Sequence, residues 1–156
     1  MNRPCCTLLC AALCVVALNS FATDDCTEKF WTAKVDQAAA RELQQSVNEG
    51  HQPWRMDDVL AVAQEAIDDR KTQWGDFNTV LSTPEVLSQT GGEAVLRATS
   101  NDGRISYTAT LRKYGWLLNS VHNRWRQVIW LPASVERTQC ATPMEDKEFP
   151  KGLIHQ

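Results

Sequence analysis

Histidine is scarce in this sequence, which limits the catalytic and metal sites that the chain can form. The three histidines are His51, His122 and His155, and none stands at the spacing of an H-E-x-x-H or Cys/His zinc motif. Only His122 has a hydroxyl nearby in the sequence, that of Ser120, and no G-x-S-x-G turn surrounds it. We therefore expect a protein without catalytic residues, metal or cofactor.

Long apolar runs are also rare, because the sequence has only one. This run covers about a dozen residues after Arg3, which is shorter than the roughly 20 residues of a membrane-spanning helix. A short basic start, an apolar run and a small-x-small ending at Ser20 and Ala22 are typical of a secretory signal peptide. We expect residues 1–22 to be a signal peptide that is cleaved after Ala22. The mature protein would then be periplasmic or secreted, with no membrane span.

Cysteine is scarce outside this leader. The first four cysteines lie in the stretch CCTLLCAALC, where we interpret them as small apolar residues that are removed with the leader, not as a metal or redox site. Only Cys26 and Cys140 remain, at opposite ends of the mature chain, and an oxidising compartment favours one disulfide between them. The remaining 134 residues are enough for one domain, which we place at residues 23–140, followed by an irregular tail at residues 141–156.

The hydrophobic pattern changes its period along the chain. Apolar residues recur every four positions in residues 27–48 and with helical spacing in residues 57–71, so we expect two helices there. Near residues 82–85 we expect a helix cap and a short helical turn. The mature chain therefore begins with helices.

Beyond residue 93 the apolar residues alternate with polar ones. This pattern predicts strands at residues 94–100 and 105–112, and a further hairpin of residues 116–121 and 124–131 that Pro132 ends. Helices followed by an antiparallel meander indicate an α+β domain, with the N-terminal helices on one face of a sheet of three or four strands.

Two resemblances accompany this pattern. Residues 27–131 resemble the cystatin-like and NTF2-like architectures, in which a curved sheet surrounds helices. The segment GHQPWRMDDVLAVAQEAI resembles one found in uncharacterised bacterial exported proteins. Neither resemblance implies an activity, because one fold can carry many functions.

Charge is divided unevenly between the two halves of the chain. Residues 23–93 contain 14 acidic and 6 basic side chains, whereas residues 94–137 contain 2 acidic and 7 basic ones. We expect the sheet to show a basic face that binds a protein partner, although the two halves also compensate each other's charge. The predicted partner-binding residues are Arg97, Arg112, Tyr114, Trp116, His122, Arg124, Arg126 and Trp130, with Trp116 and Trp130 partly exposed.

Three functions fit these features. The leading one is a non-catalytic exported protein that neutralises a macromolecule, such as an immunity or inhibitor protein against a secreted toxin that acts on the cell envelope. Alternatives are a protein that binds a small molecule or cell-wall fragment between helices and sheet, and a carboxylate hydrolase with its site around Glu65. Nucleic acid is not expected as a partner, because the mature chain has a net charge of −4 once Arg3 is removed.

Overall fold

The computed structural model describes residues 25–121 and 127–144. The helices in this part are α1 (Gln37–Asn48) and α2 (Val59–Trp74), with short 3-10 helices at Pro53–Met56 and Gly115–Ser120. The strands are β1 (Cys26–Thr32), β2 (Glu85–Gln89), β3 (Glu93–Thr99), β4 (Ile105–Arg112) and β5 (Leu131–Cys140). This arrangement confirms the predicted α+β class.

All five strands form one antiparallel sheet. Their spatial order is β1-β5-β4-β3-β2, so β2 to β5 form a meander and β1 joins its end beside β5. The sheet therefore has one strand more than the three or four predicted. The expected disulfide between Cys26 and Cys140 is present, with 4.0 Å between the two Cα atoms, and it links β1 to β5.

Helix α2 agrees with the predicted helix at residues 57–71, because its local signals are strong. The side chain of Asp58 accepts a hydrogen bond from the Ala61 N–H at 2.9 Å and so caps the first turn. Gly75 ends the helix with a φ of 81°, in the left-handed region that favours glycine. Helix α1 begins in the same way at Asp36, whose carboxylate accepts from the N–H groups of Ala38 and Ala39.

The prediction of one helix over residues 27–48 is wrong in its first half, where β1 lies. Residues four positions apart share a face in a strand as well as in a helix, so the spacing of Trp31 does not distinguish the two. Pairing with β5 and the disulfide at Cys26 decide in favour of the strand. Similarly, the segment expected to form a short helical turn after Ser82 continues into strand β2.

The predicted hairpin near the C-terminus is also wrong. Gly115–Ser120 forms a 3-10 helix, and the last strand begins at Leu131, where it was expected to end. Pro132 is tolerated inside β5 because the register with β4 shifts there, and a proline fits such an irregularity without the loss of a regular ladder hydrogen bond.

The core lies between α2 and one face of the sheet. Val62 and Ile67 of α2 pack there with Leu96 of β3, Tyr107 of β4 and Val135 of β5, all fully buried. A second apolar cluster joins α1 to the segments around Leu117 and Ile129. No helix within residues 25–121 and 127–144 is long and apolar enough to cross a membrane.

Candidate functional site: a groove on the open face of the sheet

One face of the sheet points away from α2, and we call it the open face. Along β3, the buried Ala94, Leu96 and Ala98 alternate with half-buried residues on the opposite side, as the pleat of a strand requires. The strand register extends this pattern to the neighbouring strands. The open face carries Glu28, Phe30 and Thr32 of β1, Ser134, Glu136 and Thr138 of β5, Ser106, Thr108, Thr110 and Arg112 of β4, Glu93, Val95, Arg97 and Thr99 of β3, and Glu85 and Ser88 of β2.

Part of the open face is concave and forms a groove with a volume of about 900 Å³. The register shifts between Val86 and Ser88 in β2 and beside Thr110 in β4, and such irregularities bend and twist a strand. The groove is lined by Leu87, Ser88, Val95, Arg97, Ser106, Thr108, Glu136, Thr138, the Cys26–Cys140 disulfide, Thr142, Pro143 and Met144.

A row of paired residues crosses the open face, and its three central members, Arg97, Thr108 and Glu136, line the groove. Reading across the strands, Glu85 pairs with Arg97, Arg97 with Thr108, Thr108 with Glu136, and Glu136 with Phe30. Glu85 and Arg97 are the one oppositely charged pair in this row, and such a pair stabilises a sheet by roughly 0.2–1 kcal/mol. The row also places a guanidinium, a hydroxyl and a carboxylate side by side, so the floor offers both donors and acceptors of hydrogen bonds.

The end wall of the groove is formed by the chain after β5. The Met144 N–H donates to the Gly103 carbonyl at 2.9 Å, and the Ser106 hydroxyl donates to the Met144 sulfur at 3.6 Å. Gly103 has a φ of 68°, and an added Cβ would lie 3.3 Å from the Cβ of Pro143. The β3–β4 turn is therefore shaped to receive residues 143 and 144.

A polar network on the other side of the sheet fixes the strands that form the floor. The Arg137 guanidinium donates to both carboxylate oxygens of Asp76, and the Tyr107 hydroxyl donates to Asp76 as well. Burial alone would raise the pKa of Asp76, but the bonds from Arg137 and Tyr107 outweigh burial and lower it below its usual value. The pKa of Tyr107 is raised mainly by burial and further by its hydrogen bond to Asp76.

These buried contacts hold β4 and β5 in register. The ring of Tyr107 also stacks on Trp74 with 5.9 Å between centroids, which ties β4 to the end of α2. Because Tyr107 precedes Thr108 and Arg137 follows Glu136, the network fixes the backbone from which two groove residues project.

The structure separates the predicted partner-binding residues. Arg97 lies in the groove, and the register places Arg112 on the same face, where it is exposed and donates to Glu93 at 2.7 Å. The predicted residues His122, Arg124 and Arg126 lie outside the described residues.

The predicted aromatic residues lie elsewhere. Tyr114 and Trp116 are half-buried against the α1 cluster, and Arg41 of α1 stands 5.5 Å from the Trp116 ring. Trp130 was expected to be partly exposed, but it is only 3% exposed and belongs to the main core. The backbone N–H of Trp130 donates to the Arg55 carbonyl at 2.7 Å, which holds the segment before β5 inside the molecule.

The expectation of a basic open face is wrong for the described residues. Four carboxylates (Glu28, Glu85, Glu93 and Glu136) share this face with Arg97 and Arg112. Three of them belong to β1, to β2 or to the start of β3, which were assigned to the acidic helical half. Another basic residue, Arg137, points to the core side and pairs with Asp76. The open face is consequently of mixed charge.

Glu65, the centre of the predicted hydrolase site, forms an ion pair with Arg55. The Arg55 guanidinium is buried, donates to both oxygens of Glu65 and stacks over Trp54 at 4.7 Å. This geometry gives Glu65 a structural role in joining α2 to the 3-10 helix before it. Within the described residues, no group of three His, Cys, Asp or Glu side chains has the arrangement of a metal site.

Comparison with known proteins provides no relative from which a function can be transferred. No protein-family model matches the chain, and no curated protein or solved structure is significantly similar to it. A function therefore has to be argued from the chemistry of the groove.

Proposed function

We propose that this protein is an exported, non-catalytic binding protein that neutralises a macromolecular partner, as an inhibitor or immunity protein does against a toxin that acts on the cell envelope. The observation that carries this proposal is the groove of about 900 Å³ on the open face. Its floor is a paired antiparallel sheet, so it is preorganised and loses little conformational freedom on binding. The partner inserts a segment into this groove.

The lining of the groove indicates the chemistry of that segment. Arg97 recognises a carboxylate or backbone carbonyl, Glu136 recognises a cation or N–H group, and the hydroxyls of Thr108 and Thr138 accept or donate. Val95 adds apolar contact. A polypeptide segment of mixed character satisfies all of these groups, and arginine is among the residues that contribute most to protein interfaces.

Export and durability support the same proposal. The leader pattern of residues 1–22 predicts secretion. The disulfide closes a loop with a sequence separation of 114, and loops of this size contribute roughly 4–5 kcal/mol through the unfolded state in the chain-entropy model. An inhibitor outside the cytosol benefits from such stability.

The proposal is tested by affinity capture from the organism's own cell envelope with the wild-type protein and two matched variants. Arg97→Glu reverses a charge in the groove, and Arg112→Glu reverses one on the same face outside the lining residues. We expect the wild type and Arg112→Glu to retain the same partner and to abolish its activity at an equimolar ratio. Arg97→Glu should lose both effects while remaining folded, which circular dichroism checks. If all three proteins bind equally well, the groove is not the interface.

A second candidate function is the binding of a small cell-wall fragment. The groove volume lies within the range of roughly 300–1,000 Å³ that is usual for small-molecule sites. This site was expected between helices and sheet, but that space holds the main core, and the groove lies on the opposite face. Titration with disaccharide-peptide fragments of peptidoglycan should then shift the amide resonances of Thr108 and Thr138. A response that persists in Thr108→Val would argue against this site.

A further inference from the structure

The chain leaves the sheet in a direction that brings residues 142–144 to the groove. After β5, the Ala141 N–H donates to the Asp25 carbonyl at 3.2 Å, and the chain then turns back over the β3–β4 turn. Met144 is bound to Gly103 and Ser106 there and forms part of the groove wall. Residues 145–156 therefore start at the edge of the groove.

The described residues just before this segment, Pro143 and Met144, already cover one end of the open face. Ser106 and Cys140 are each only 7% exposed, whereas Thr108 and Thr138 on the same strands are half-buried. The difference coincides with the position of Pro143 and Met144, which line this end of the groove. Pro143 and Met144 therefore already cover one end of the groove.

The segment is long enough to continue across the whole sheet. Its 12 residues span up to about 40 Å when extended. The distance between the outer strands of a five-stranded sheet is about 19 Å, at roughly 4.8 Å per strand pair. Pro150 favours an extended backbone at the residue before it, which suits a segment that lies along a sheet.

The sequence of the segment, EDKEFPKGLIHQ, complements the groove. Its first residues are the acids Glu145 and Asp146, and the open side of the sheet offers two basic side chains, the exposed Arg104 in the β3–β4 turn and Arg97 in the groove. Its later residues include apolar side chains, which match the apolar part of the lining. These are Phe149, Leu153 and Ile154 in the segment and Leu87 and Val95 in the groove.

We propose that residues 145–156 dock in the groove of their own chain and that a binding partner has to displace them. A segment tethered at the groove wall acts at an effective concentration on the order of millimolar, so weak contacts are sufficient to hold it. If the segment occupies the groove about 90% of the time, a partner's apparent dissociation constant rises about tenfold. The docking of residues 145–156 requires no partner, whereas their competition with a partner for the groove rests on the proposed function.

The docking is tested in the full chain by replacing Phe149 with the photoreactive amino acid benzoylphenylalanine. After irradiation and proteolysis, we expect intramolecular cross-links to β2 and β3 residues of the groove, such as Leu87 and Val95. Arg97→Glu should reduce the yield several-fold, and Arg112→Glu should leave it unchanged. Cross-links to the helix side of the sheet, links between two copies of the chain, or no links at all would overturn the docking.

The competition is tested with the captured partner and the full-length variant L153D/I154D. We expect this variant to bind the partner about tenfold more tightly than the wild type does, with the same melting temperature. Cross-links into the groove without any partner would leave the docking valid and refute the proposed function. Equal affinity of both proteins for a partner that needs Arg97 would leave the proposed function valid and refute the competition.

Discussion

At the scale of single residues, the groove depends on charged groups that lie on the other side of the sheet. Arg137 is counted among the basic residues of the sheet, but the register directs it to the core, where it bonds Asp76. The side chains of Arg137 and Asp76 are 5% and 15% exposed, so each neutralises a charge that would otherwise be buried alone. Arg137 therefore contributes no charge to the open face, which carries Arg97 and Glu136.

We predict that Asp76→Asn destabilises the fold by about 3 kcal/mol, because removing one partner of a buried ion pair leaves the other charge uncompensated. Urea unfolding followed by tryptophan fluorescence measures this change. The matched control is Glu93→Gln, which removes the exposed pair with Arg112 and should cost less than about 1 kcal/mol. Equal losses of unfolding free energy in the two variants would show that the buried Asp76 network stabilises the fold no more than an exposed ion pair does.

The lowered pKa of Asp76 also makes the free energy of unfolding depend on pH in the acid range. Asp76 has a pKa below its usual value of 3.8 in the folded state, because the bonds from Arg137 and Tyr107 outweigh burial. Between the folded and unfolded pKa values the unfolded chain binds more protons, so the stabilisation is present above pH 3.8 and is lost as the pH falls through the folded pKa. The stability difference between wild type and Asp76→Asn should shrink below that pH. A difference that stays constant down to pH 2 would contradict this cause.

At the scale of elements, local patterns predicted those parts of the fold that local physics determines. Helix α2 has an apolar stripe, an aspartate cap and a terminal glycine, and β3 and β4 are joined by a short turn, so sequence alone indicates all three. Strands β1 and β5 depend on partners that are distant in the chain. Residues 26–32 pair with residues 134–140, and neither segment carries a local signal of that pairing.

The candidate site was predicted only in part for the same reason. Alternation along the predicted strands indicates that Arg97 lies on an uncovered face, where the structure has it. Glu136 and Thr138 lie beyond Pro132, where the sequence pattern predicts the end of the last strand, and Ser88 follows a predicted helical turn, so none of the three is predicted as a site residue. The alternation of Ser134, Glu136 and Thr138 with Val135 was the signal that could have identified β5.

Besides its apolar contacts, helix α1 is hydrogen-bonded to the segment before β5 by the buried side chain of Gln44, which gives a prediction for this element. The Gln44 carbonyl oxygen accepts from the Ile129 N–H at 3.1 Å, and its amide group donates to the Gln127 carbonyl. Gln44→Leu leaves the buried Ile129 N–H unpaired, so it should cost about 1–3 kcal/mol. Gln45→Leu, on the exposed side of the same turn, should change stability by less than about 0.5 kcal/mol. A loss of similar size in both variants would attribute the effect to helix propensity.

At the scale of the whole molecule, the disulfide and the sheet work together to define the groove. Cys26 and Cys140 face each other at the ends of β1 and β5 and line the groove beside the segment that carries Met144. The bond therefore joins the first and last strands of the domain at the place where the chain turns towards the groove. Formation of the Cys26–Cys140 disulfide consequently stabilises the domain and also fixes the position from which the chain continues to Met144.

We predict that the double variant C26S/C140S loses about 4 kcal/mol of unfolding free energy. The disulfide lowers the conformational entropy of the unfolded chain, and its removal restores that entropy and so favours unfolding. The urea dependence of the unfolding free energy should also become steeper, since a longer unfolded chain exposes more surface. Reduction of the wild type should reproduce both changes. A loss below about 1 kcal/mol with an unchanged urea dependence would mean that β1 holds its place through strand pairing alone. The expected loss approaches the whole stability of many small domains, so the reduced protein would be marginally folded.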